Sequence, residues 1–71
     1  MYILTAISPY LISKLGTYPT IALCEEECER RFNVKGVKFK WSEDAWRAVV
    51  AGEEGAIVLK LVEVKDASLD N

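Results

Sequence analysis

The chain contains no histidine and only two cysteines, Cys24 and Cys28. Without histidine there is no Ser-His-Asp or Cys-His nucleophile system, so the commonest hydrolase designs are excluded. A four-ligand zinc site would have to draw half of its donors from carboxylates. Two cysteines four residues apart allow at most one bridge, and on a helix that bridge would close almost no loop. Long apolar runs are missing too: no stretch reaches the ~18 residues of a membrane span. Met1-Tyr2-Ile3-Leu4 has neither a basic segment nor an apolar stretch ending in a small-residue cleavage site, so no signal peptide is expected. The expectation is a soluble cytoplasmic protein with reduced thiols, no membrane partner and no metal or other cofactor. Gly52-Glu53-Glu54-Gly55 offers two glycines and two carboxylates, which suits a turn and would repel a phosphate. No internal repeat or low-complexity tract interrupts the 71 residues, and a single domain spanning 1–71 is expected, with 66–71 as a polar tail.

What is present centres on residues 56–65, the longest apolar and β-branched run. Along a strand, Ile57, Leu59 and Leu61 fall on one side and Val58, Val62 and Val64 on the other. Both faces are apolar, as for a central strand. Residues 2–7, Tyr-Ile-Leu-Thr-Ala-Ile, read as another uncharged strand. Ser8-Pro9 is a helix-start signal, and Tyr10, Leu11, Ile12 and Leu15 then predict a two-turn helix ending at Gly16. Ile21, Cys24, Cys28 and Phe32 recur at helical spacing behind a Thr20 cap, with Glu26–Arg30 and Glu27–Arg31 as i,i+4 pairs. A short strand over 20–24 followed by a helix from Glu25 is the competing reading. Val37-Lys38-Phe39-Lys40-Trp41 alternates like an edge strand wet on one face. Ser42 with Glu43 and Asp44 predicts a third helix, carrying Ala45, Trp46, Val49 and Val50 inward and ending at Gly52.

The expected fold class is therefore α+β: a small three-stranded sheet, the last strand central, with two or three helices mainly on one face. A 71-residue chain buries only roughly 60–65% of its unfolded surface, so the second sheet face is expected to need a cover. Val58, Val62 and Val64 are candidate interaction residues. The first strand would add either Tyr2, Leu4 and Ala6 or Ile3, Thr5 and Ile7, with Ile3 and Ile7 as the candidates, and Trp46 is a possible interface anchor. The cover would be a second copy, as a homodimer, or a protein target, and the chain is expected to be a non-enzymatic interaction module.

Two other functions compete. The net charge of −2 gives no overall push toward nucleic acid. Even so, Arg30, Arg31, Lys35, Lys38 and Lys40 crowd into one segment beside Phe39 and Trp41, a candidate nucleic-acid surface. The alternation points those aromatics away from the lysines. A small nucleotide or ligand sequesterer built from carboxylates and lysines is the other alternative, and the cluster Glu25-Glu26-Glu27-x-Glu29 is read as a solvated helix face. Cys24 and Cys28 read as core residues beside glutamates that would raise a thiol pKa.

Two segments carry a likeness to a known family. Leu4-Thr5-Ala6-Ile7-Ser8-Pro9-Tyr10-Leu11-Ile12 resembles the strand-then-helix start of the small viral ring nucleases that act as type III anti-CRISPR proteins. Ser42-Glu43-Asp44-Ala45-Trp46 through Gly52 is similar to that family's last helix and strand. The likeness covers about half the chain, and the family's central segment with its catalytic histidine has no counterpart. It implies a phage or archaeal-virus accessory protein, in the host cytoplasm, that binds cyclic oligoadenylate without cutting it; a phage-type inhibitor of a host system is one form the expected interaction module would take. No family residue is carried over as a site.

Overall fold

A computed structural model describes residues 1–53 and 55–64. Five strands and one helix follow in the order β1 (Tyr2–Ile7), β2 (Ile12–Tyr18), α1 (Ile21–Phe32), β3 (Lys40–Ser42), β4 (Ala45–Gly52) and β5 (Gly55–Glu63). The strands form one antiparallel sheet in the order β2-β1-β5-β4-β3. This corrects the expected three-stranded sheet with two or three helices: two segments read as helices are strands, and α1 is the one helix among the described residues. The tail expected at 66–71 lies outside them.

The first correction is at residues 8–18. Ser8 does accept an orphan amide, but that of Leu11 (3.2 Å to the Ser8 hydroxyl), while its own N–H donates to the Leu11 carbonyl at 2.8 Å. A serine followed by proline serves a turn as well as a helix start. Here it closes a four-residue loop and lets Ile12 pair with Ile7. A two-turn helix would have left one edge of β1 without partners, whereas β2 runs opposite all six of its residues. The register shifts between Leu4 and Thr5, where Leu15 is the extra residue of a bulge.

The second correction is at residues 42–52. On a helix Ala45, Trp46, Val49 and Val50 form one stripe, whereas on a strand Ala45 and Val49 point away from Trp46 and Val50, so their spacing alone favours the helix. Pairing decides for the strand: β4 pairs with β5 from Trp46↔Leu61 to Gly52↔Gly55, and β-branched Val49 and Val50 and aromatic Trp46 suit a pleated surface. Ser42-Glu43-Asp44 is then a hairpin turn, with Ser42 opposite Ala45 and Glu43 at φ 61°. Gly52 and Gly55 close a second hairpin, not a helix-to-strand turn, with Gly55 at φ 127°. A glutamate in the left-handed region is strained where glycine would not be. Glu43→Gly is therefore expected to stabilise the domain by about 0.5–1 kcal/mol, read as a rise in the urea midpoint. An unchanged or lowered midpoint would contradict the turn geometry.

The edge strand read over 37–41 shrinks to Lys40–Ser42. Val37 and Phe39 are buried as the alternation predicts, but Trp41 is 58% exposed. Residues 36–39 leave the sheet and lie along α1, which supplies the acceptors that a neighbouring strand would have given. Glu29 Oε2 takes the N–H groups of Gly36 (2.8 Å) and Val37 (3.0 Å), and Glu25 Oε2 takes that of Phe39 (2.9 Å).

The helix itself runs from Ile21, so residues 21–24 are its first turn. Thr20 caps it through the Leu23 amide, and Asn33 ends it in the left-handed conformation. Its Cys24 and Cys28 pack with Leu4, Leu59, Leu61, Val50, Val37 and Phe39 into the core. Glu27 holds both Arg30 and Arg31, replacing the expected Glu26–Arg30 pair.

Candidate functional site

Directly opposed residues in an antiparallel pair project to the same face. Leu4, Leu59, Leu61 and Val50 project toward α1. Their sequence neighbours must project away from it, and among the described residues no helix covers that side. The register sorts this face into rows running across the strands. One row is Thr17, Ile3 and Val62. Another is Ile12, Ile7, Val58 and Val49. Of these, Val62 is 39%, Val49 65% and Ile12 70% exposed. Between the two apolar rows runs Lys14, Thr5, Lys60, Arg47 and Lys40, one residue from each of the five strands.

The structure thus brings Ile3, Ile7, Val58 and Val62 together on the helix-free face. Val64 lies just past β5, its N–H donating to the Met1 carbonyl at 2.8 Å. Trp46 faces the other way, edge-on to Tyr2 (ring centroids 5.7 Å) and to Trp41 (4.6 Å), on the helix-bearing side.

The basic segment read in the sequence does not form one patch. Arg30 and Arg31 sit on α1 paired with Glu27, Lys38 is 3.9 Å from Glu25, and Lys35 is exposed after the helix. Only Lys40 joins the cationic row. Its other members, Lys14, Arg47 and Lys60, are far apart in the chain, and only strand register assembles them. The signal available in the sequence was a cation interrupting each apolar strand, above all Lys60 within the central run.

Neighbouring strands are ~4.8 Å apart, so the row spans roughly 19 Å. Arg47 donates to Asp44 (3.2 Å) and to the Ser42 carbonyl, which fixes it over the β3–β4 turn. Among the described residues Lys14, Lys40 and Lys60 make no ion pair. Lys60 lies directly opposite Arg47, and Arg47 opposite Lys40, and like charges so placed repel. The carboxylates of Glu25, Glu26, Glu27 and Glu29 belong to α1 on the far side. Arg30, Arg31 and Lys38 lie with them, so the helix side is of mixed sign while the row across the sheet is cationic.

Other arrangements offer less chemistry. A cleft of about 250 Å³ between the β1–β2 loop and the β4–β5 hairpin is lined by Ser8, Pro9, Tyr10, Gly52, Glu53, Gly55 and Ile57, with Glu53 the one carboxylate among its described lining residues and no histidine to join it to the serine. No cluster of metal-ligating side chains occurs among the described residues. Cys24 and Cys28 are free thiols with no solvent exposure. The hydrogen bond to Cys28, and after it burial, pushes the Cys24 thiol well above its ordinary pKa. Both cysteines are expected to resist a water-soluble disulfide reagent at neutral pH in the folded protein and to titrate fully in denaturant. Rapid labelling without denaturant would contradict the packing.

No helix among the described residues is long and apolar enough to cross a membrane. Comparison with protein-family models, with curated proteins and with solved structures gives no match for this chain.

Proposed function

We propose that this chain is a protein-interaction module that acts by binding rather than by catalysis, through the helix-free face of its sheet. The observation that carries the reading is the placement of Ile3, Ile7, Val58 and Val62 in cross-strand rows on the side opposite α1. An aliphatic sheet face of a few hundred Å², once covered, contributes several kcal/mol at ~25 cal/mol per Å². That is comparable with the whole stability of a small domain. The absence of histidine, which removes the commonest nucleophile systems, supports binding over turnover.

The test is a photo-crosslinking amino acid placed at Val62 or Val49, with Glu26 on the exposed side of α1 as the control, in extract of the organism that encodes the chain. A discrete protein adduct from the two sheet positions, absent at Glu26, is the expected result. Adducts from all three positions alike, or from Glu26 alone, would remove the assignment of the face.

A further inference from the structure

Building on that reading of the face, we infer that its occupant is an acidic protein segment: a row of Asp and Glu side chains flanked on both sides by aliphatic ones, seated on Lys14, Lys60, Arg47 and Lys40. The argument is charge complementarity fixed by register. The face carries one cation on each of four strands, in line, with an apolar row above and below. Two of the cation pairs are directly opposed, where they repel and weaken the sheet. A carboxylate row laid along them relieves that repulsion and meets both apolar rows at once. Asp44 already holds Arg47, but Lys14, Lys60 and Lys40 make no ion pair among the described residues, and cations left unmatched in the free protein fit a binding surface better than a folding device.

The same geometry argues against two other occupants. A second copy stacked face to face, at the ~10 Å spacing of packed sheets, would press one cationic row against another. Nucleic acid would satisfy the cations but leave the aliphatic rows against phosphate and sugar. No aromatic stands in the rows to stack on a base, since Tyr2, Trp41 and Trp46 cluster on the helix-bearing side.

The experiment uses the whole chain, isotope-labelled, titrated with a synthetic helix about 18 residues long that bears glutamates along one stripe and leucines beside it. Its glutamine counterpart, an oligothymidylate of about 20 nucleotides and a duplex of similar length serve as comparators. Amide shifts confined to residues in the three rows are expected, with roughly tenfold weaker binding by the glutamine peptide and clear weakening between about 50 and about 300 mM salt. Lys60→Glu is expected to raise the melting temperature, by breaking the opposed pair with Arg47, and to abolish peptide binding. A merely structural lysine would not move stability and affinity in opposite directions. Lys14→Glu and Lys40→Glu, on the exposed edge strands, give the same loss of binding should the central substitution fail to fold.

Equal binding of both peptides, shifts on α1, or tighter binding of either oligonucleotide would overturn the acidic-segment proposal. So would a dimer in light scattering whose protected amides lie in the rows, although that outcome leaves the face as an interaction surface. Loss of the surface itself is read separately, from the crosslinking positions.

Discussion

Replacing Leu59 by alanine is expected to leave much of the protein unfolded at room temperature. Leu59 has no solvent exposure and lies on the strand at the middle of the sheet order, facing α1. Its cross-strand partners are Ala6 and Ala48, so neither flank has a side chain long enough to fill the vacated space. A site that cannot collapse belongs at the upper end of the 2–5 kcal/mol range for leucine-to-alanine changes. A domain of this size has about 5 kcal/mol in total. Circular dichroism and urea unfolding would read the loss directly. Val49→Ala, on the opposite face and 65% exposed, is the matched comparison and should change stability by less than about 0.5 kcal/mol. Similar midpoints for the two variants would mean that the assignment of inner and outer faces is wrong.

Glu29→Ala is expected to cost about 2–4 kcal/mol, far more than the usual loss of a surface glutamate. One carboxylate oxygen accepts from both Gly36 and Val37, and the Val37 amide is partly buried with no strand beside it. Charge-assisted hydrogen bonds of this kind contribute more than neutral ones, and their removal leaves amide donors without partners. Glu25→Ala is expected to behave similarly but more mildly, through the single amide of Phe39. Glu26, exposed on the same helix and making no hydrogen bond among the described residues, should tolerate alanine within about 0.5 kcal/mol. Hydrogen exchange offers the local readout: the Gly36 and Val37 amides should lose protection in the Glu29 variant before the β5 amides do. Unchanged protection would show that the helix carboxylates do not hold this segment.

The glutamate cluster shows well where sequence reasoning stops. As a string, Glu25-Glu26-Glu27-x-Glu29 looks like a solvated helix face, and Glu26 is that. Glu25 and Glu29, four residues apart, stand on one side of α1, and the extended segment 36–39 docks there; nothing local in the sequence says so. The helix itself was legible because its signals agree: the Thr20 cap, the Ile21-Cys24-Cys28-Phe32 stripe and Asn33 at its end. The first and last strands were legible from uncharged, β-branched runs. The two misread segments share one cause. Ser8-Pro9 and Ser42-Glu43-Asp44 carry residues that cap helices and also close turns, and the apolar spacings after them follow the helical period. What decides is the unsatisfied edge of a partner strand, β1 in one case and β5 in the other. That information is held elsewhere in the chain.

The same limit applies to the proposed surface. Alternation alone places Val58 and Val62 on one side of β5. Which of the two β1 sets joins them depends on register. The cationic row is further from view, because residues 14, 40, 47 and 60 have no common motif and meet only when five strands are laid in order. The crowded basic segment from Arg30 to Lys40 was conspicuous in the sequence for the opposite reason: proximity along the chain, which the turn after α1 then disperses.

The strand in the middle of the sheet is also the most C-terminal of the five. β1 and β2 can close as a local hairpin, but β3 and β4 meet them only through β5, whose partner β1 is separated from it in sequence by β2, α1, β3 and β4. Ribosomal emergence therefore exposes four strands before the fifth can join them, and the late, non-local closure of β1 onto β5 sets the pace of folding. A nascent chain stalled ahead of Leu59 would present the apolar flank of β1 to chaperones, and assembly would complete in a single cooperative step once the last strand was free to insert.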